Sequence, residues 1–162
     1  MERSIDTTLY LKYKEFESQL ILNDKYNSES NPVIHLIVEN ENNIYHSSWL
    51  SKEDIPMGGI YFEYINILTK FTKLRELRLI DLFIKDLPED FDNLIELNTL
   101  ELCFSRSADV EKNLRILKKL KSLKFLDLNG SRLSEKQRNY IRIELNKQGV
   151  NVNDIVMLKS NK

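Results

Sequence analysis

The sequence predicts an α/β fold, a short solenoid whose parallel strands line one face while helices or turns return the chain along the other. Three observations predict it. The spacing Leu-x-x-Leu-x-Leu occurs at Leu74, Leu77 and Leu79, at Leu97, Leu100 and Leu102, and again at Leu123, Leu126 and Leu128. These segments start 23 and 26 residues apart, the length of a repeat that pairs one strand with one return segment. The composition, 25 Leu and 16 Ile in 162 residues with one Ala, four Gly and three Pro, is leucine-heavy and neither disordered nor collagenous. A chain of this length fits one domain over 1–162. Within it, 1–70 reads as an N-terminal cap with a degenerate repeat, 71–133 as three clear repeats and 134–162 as a C-terminal cap.

Taken in order, Leu9 and Leu11 alternate with Tyr10 and Lys12 as in a strand, and 28–32 with Pro32 is a loop signal. Val33, Leu36 and Val38 keep the apolar spacing. Phe62, Ile65, Leu68 and Phe71 follow at helical steps, and together these segments read as the long degenerate repeat of the N-terminal part. In the first clear repeat Ile84, Leu87, Phe91 and Leu94 return the chain to Leu97; in the second, Val110, Leu114, Leu117 and Leu120 have the spacing of an amphipathic helix. Ser134 and Gln137 form a capping box that starts a helix with Tyr140, Ile141 and Leu145 on its apolar face. Gly149 is placed to end that helix, and 150–157 can add a last strand.

Side chains alternate across a strand, so the second and third leucines of each motif point inward together and the residues between them face out. No repeat covers its own apolar face. Burial of about 1.5 to 3 kcal/mol per leucine is gained only when neighbouring repeats stack.

On these motifs, and on the return segment Leu87, Pro88, Phe91 and Leu94, residues 71–150 resemble the leucine-rich repeat family, in its short, stand-alone bacterial type. The pattern departs from the family at the ninth motif position, where Leu82, Ser105 and Ser131 stand in place of the usual Asn. A serine hydroxyl can bond a turn backbone instead. Leu82 cannot, so the first turn is not expected to be regular. The resemblance implies a concave strand face that binds proteins and, for the short stand-alone type of bacterial appearance, an immunity-type inhibitor that neutralises a toxin.

Composition and motifs exclude other classes. With 24 basic and 25 acidic residues the net charge is −1, without the basic footprint of a dedicated nucleic-acid binder. The basic run Lys112, Arg115, Lys118, Lys119, Lys121 and Lys124 interleaves with leucines and lacks stacking aromatics, so it reads as the wet face of a return helix. No apolar stretch is long enough to cross a membrane and no secretory signal is evident, which with the lone Cys103 makes the cytoplasm the expected compartment. His35 and His46 have no partner at metal-ligand spacing, and no phosphate-cradling or nucleophile-elbow motif occurs. No cofactor, metal or catalytic residue is expected.

The expected binding surface is the set of outward strand positions: Glu76, Arg78 and Ile80, then Thr99, Glu101 and Cys103, then Phe125, Asp127 and Asn129, with Phe104 as a second aromatic anchor beside Phe125. Arg78, Glu101 and Asp127 could form charged hydrogen bonds at its rim. For Ile80 and Phe104 the alternative is that they fold over the core. The function expected is a non-catalytic module whose partner is another protein. A scaffold with several weak partners is an alternative, and an enzyme with a site in the N-terminal half is a further one. Charge is uneven: 1–70 carry six basic and eleven acidic groups, and 71–162 carry 18 and 14, a dipole that can steer a charged partner.

Overall fold

The computed structural model describes residues 8–16, 18–19, 33–40, 54–55 and 59–154. The described residues form an α/β structure with one seven-stranded sheet. Its strands are β1 (Thr8–Lys12), β2 (His35–Glu39), β3 (Ile60–Tyr61), β4 (Glu76–Ile84), β5 (Thr99–Phe104), β6 (Phe125–Asp127) and β7 (Asn151–Asn153). Between them lie α1 (Tyr13–Phe16), α2 (Ile65–Leu68), a 3-10 turn (Glu89–Asn93), α3 (Val110–Leu117) and α4 (Glu135–Asn146). The order in space is β1-β2-β4-β5-β6-β7, with β3 pairing the far half of β4. Every pairing is parallel.

Alternation decides which face of each strand is buried. Leu36, Leu77, Leu100, Leu126 and Val152 stand in one row across the sheet, and all five are buried. Leu11, Val38 and Leu79 form a second row, joined in the core by Leu102 and Leu128. The same core receives Phe91 from the 3-10 turn, Leu114, Ile116 and Leu117 from α3, and Ile141 and Leu145 from α4. Helices therefore cover one face of the sheet. Ile84, Leu87, Phe91 and Leu94 are buried as their spacing predicts, but the segment closes as a 3-10 turn after Pro88.

The same three-residue closure precedes each motif strand. Leu74 N–H donates to Phe71 O at 2.9 Å, Leu97 to Leu94 O at 3.0 Å and Leu123 to Leu120 O at 3.1 Å. Each strand is then clipped to its predecessor by one carbonyl that accepts two successive amides. Ile34 O takes Arg75 and Glu76, Arg75 O takes Asn98 and Thr99, and Asn98 O takes Lys124 and Phe125.

Caps end the helices as the sequence predicts. In α4 the Gln137 amide donates to Ser134 Oγ at 3.3 Å and the Ser134 amide to Gln137 Oε1 at 2.8 Å. Gly149, at φ 81°, adopts the left-handed conformation that turns the chain from α4 into β7. Two positions differ from expectation. Tyr140 is exposed and its hydroxyl donates to Glu111 at 3.2 Å. The helical steps of 62–71 yield only the single turn of α2. The loop signal at 28–32, Pro56, Gly58 and the end of the 150–157 strand fall outside the described residues.

The largest irregularity lies where Leu82 breaks the motif. Arg78 pairs with Glu101 and Phe83 with Cys103, so β4 spends five residues where β5 spends two. Ile80 stays in register with Glu39 of β2; Asp81 then turns at φ 55°, and Leu82 and Phe83 pair with Ile60 and Tyr61 of β3. Leu82 has no hydroxyl or amide to close a turn. It is buried instead, and the strand bulges past it. Where the motif carries Ser131, the substitute works as the chemistry predicts: its Oγ accepts the Phe104 amide at 2.9 Å.

Candidate functional site

The face opposite the helices is laid out in register. One row runs Thr8, His35, Glu76, Thr99, Phe125 and Asn151, and the next runs Tyr10, Ile37, Arg78, Glu101, Asp127 and Asn153. Between the outermost strands these side chains are half-buried. The buried apolar residues of every described helix belong to the core on the other side, so no described helix covers this face.

Of the outward positions predicted from sequence, Glu76, Arg78, Thr99, Glu101, Phe125 and Asp127 are brought together in these two rows. Ile80 is half-buried beside Glu39, one row further along. Asn129 lies just past β6, its amide N–H donating to Asp127 Oδ1 at 2.8 Å. Two predictions are corrected. Cys103 is only 3 % exposed and its Sγ donates to Asn129 O at 3.1 Å. Phe104, 1 % exposed, belongs to the core, so it is no surface anchor. The bulge in β4 is the reason: it sets Phe83 and Ile84 against Cys103 and Phe104, a stretch of β5 buried from Leu102 to Phe104.

Ion pairs organise the face. Arg78 Nε donates to Glu101 Oε2 at 2.5 Å, and Lys12 Nζ lies 2.7 Å from Glu39 Oε2, which also accepts the Tyr10 hydroxyl. His35 Nδ1 sits 3.0 Å from Glu76 Oε2. Asp127 is held by amides: Asn153 Nδ2 donates to it at 2.9 Å and Asn129 Nδ2 at 3.3 Å. The hydrogen bond from Arg78 to Glu101 raises the guanidinium pKa, against an opposing effect of burial and with further help from the charges of Glu76 and Asp127. Burial pushes the Asp81 carboxyl up, and the neighbouring Glu39 charge adds to it. Burial likewise pushes the Cys103 thiol up, reinforced by Asp81, Glu101 and Asp127. A thiol so placed stays protonated and is a poor nucleophile.

The basic run behaves as a solvated face. Arg115 pairs with Glu89 at 2.8 Å, Lys118 with Glu144 at 2.5 Å, Lys112 with Asp86 at 3.7 Å and Lys119 with Asp92 at 3.8 Å. Each of these pairs joins successive return segments. Among the described residues no group of three or more His, Cys, Asp and Glu could hold a metal ion, and no helix is long and apolar enough to cross a membrane. His46 and Trp49 lie outside the described residues.

Sequence reasoning stopped at three strands and missed the extent of the face. Tyr10, Lys12, Ile37 and Glu39 extend it on one side, and Asn151 and Asn153 on the other. The signal was present in the alternation of Leu9 with Leu11 and of Leu36 with Val38, which already sends their neighbours outward. Asp81 had no signal, because its place on this side follows from the bulge. Comparison of the chain with protein-family models, with curated proteins and with solved structures finds no match in any of the three.

Proposed function

We propose that this chain is a leucine-rich repeat solenoid that acts without catalysis as a protein-binding module, and more specifically as an immunity-type inhibitor that binds and neutralises a bacterial toxin. One observation carries the docking part: a parallel-sheet face that no described helix covers, whose side chains are aligned in register over six strands and half-buried on the inner four. Such a surface is rigid before binding, so little ordering entropy is lost on association. The repeated strand entry at Phe71, Leu94 and Leu120 supports the solenoid reading. The inhibitor reading rests on the resemblance of residues 71–150 to short stand-alone repeat proteins of bacterial type.

The test is co-expression with the product of the neighbouring open reading frame, followed by affinity capture. One stoichiometric partner that is toxic alone, harmless in co-expression and bound at about nanomolar Kd or tighter is the expected result. Several weak partners would replace the inhibitor with a scaffold. The face itself is tested by Thr99→Trp combined with Phe125→Ala, a change of shape without change of charge. Partner affinity should fall at least about ten-fold, the loss of one interface anchor, at an unchanged melting temperature. Unchanged affinity would move the contact off the sheet.

A further inference from the structure

We infer that the sheet face that no described helix covers docks its protein partner through a basic, Lys- and Arg-rich surface of that partner. The inference rests on the reading of this face as a docking surface and adds the chemistry of what it accepts. Among the described residues five carboxylates, of Glu39, Glu76, Asp81, Glu101 and Asp127, stand on or beside this face, against two permanent cations, Lys12 and Arg78. Both cations are already engaged by Glu39 and Glu101. Among the described residues no cation pairs with Asp81 or Asp127, and Asp127 is held by amide donors alone. The charge on the other side of the molecule is balanced differently. There Lys112, Arg115, Lys118 and Lys119 each meet an acid of a neighbouring segment.

Among the described residues the excess is therefore local to this face, although the whole chain is nearly neutral at −1. Carboxylates crowded on a surface with one side in low dielectric repel one another, and a cationic partner relieves that repulsion as it binds. An acidic partner surface meets like charge, which rejects it. Arg78 has a consequent role: locked to Glu101 and flanked by Glu76 and Asp127, it holds the acidic rows together and does not reach for a partner carboxylate.

The experiment titrates the isotope-labelled full chain with a synthetic peptide of alternating Lys and Ala and, separately, with its Glu counterpart, following backbone amide shifts. The expected result is that the Lys peptide shifts amides of Glu76, Arg78, Glu101 and Asp127, that the Glu peptide does not, and that the shifts fade as salt rises from about 0.05 to 0.5 M. Glu76→Lys with Asp127→Lys should weaken peptide binding at least about ten-fold. The isosteric pair Glu76→Gln with Asp127→Asn keeps the side-chain shapes while removing the charge, and should weaken it several-fold, even if the lysine variant folds poorly. Equal response to both peptides, shifts confined to the helical side, or no loss in the isosteric variant would overturn the inference. A partner that is lost with Thr99→Trp and Phe125→Ala but associates at a salt-independent rate would overturn the basic-surface inference and leave the docking reading standing.

Discussion

The two ends of the sheet reach the same parallel register by different chemistry. From β4 to β6, inward leucines at each strand face leucines from the return segments, and Leu77, Leu100 and Leu126 are fully buried. Near β1 four rings pack together instead. Phe16 and Phe62 meet edge-on with centroids 5.1 Å apart, Tyr64 stacks on Phe16 at 5.5 Å, and Tyr13 meets Phe62 at 6.0 Å. A leucine ladder can be extended by adding another unit, because each layer presents the next with the same surface. A ring cluster does not repeat in this way, because its large, directional faces fit one particular set of partners.

That difference predicts how damage spreads. Leu100→Ala removes a side chain packed between two neighbouring layers, at a cost of about 2 to 5 kcal/mol, read as a fall in the urea midpoint of the whole chain. Phe62→Ala costs about 3 to 5 kcal/mol by the same rule, yet its loss should be felt mainly at the end. Hydrogen exchange should quicken at β1 and β3 while amides of β5 and β6 keep their protection. Equal loss of protection in β5 and β6 would make the chain one cooperative unit and erase the distinction between ladder and cap.

Asn113 separates the regions in another way, for it is a polar clasp buried inside the ladder at 1 % exposure. Its Oδ1 accepts the Leu87 amide at 2.7 Å and its Nδ2 donates to Lys85 O at 3.0 Å, tying α3 to the preceding return segment. Asn113→Ala leaves the buried Leu87 amide and the part-buried Lys85 carbonyl without those partners, and should cost about 1 to 3 kcal/mol. Chemical denaturation measures the total, and faster exchange of the Leu87 amide locates it. If that amide keeps its protection, the clasp is not what holds the segment.

How much of this was legible depended on whether a residue's role was set by its own repeat. The leucines were readable because strand periodicity alone decides their side, and the rows through Glu76 and Arg78 followed from the same rule. Ser131 was readable because a turn amide needs an acceptor. Cys103 and Phe104 were misplaced because their burial is decided by the bulge in a different strand, where Leu82 could not close a turn. Asn113 looked like one more polar residue on a helix. Its value comes from two backbone groups some 26 to 28 residues earlier in the chain, a distance that local pattern does not span.

The smallest expected effect tests whether successive return helices are also joined by charge. Glu144 of α4 accepts Lys118 Nζ at 2.5 Å and is also bonded by Lys147. The bond from Lys118, then that from Lys147, lowers its pKa from 4.5 to about 2. A carboxylate depressed in the folded state contributes stability that is fully present above its unfolded pKa and is lost as pH falls through the folded one. The window is therefore about pH 4.5 down to about 2. Glu144→Gln should melt below the wild type at neutral pH, by a small margin because both lysines are partly exposed and screened by solvent. The two melting curves should converge as pH falls through this window, and raised salt at neutral pH should narrow the gap in the same direction. A gap that stays constant from neutral pH to pH 2 would mean that the carboxylate's charge does not join α3 to α4, leaving apolar packing and the hydrogen bond from Tyr140 to Glu111 to hold the two helices together.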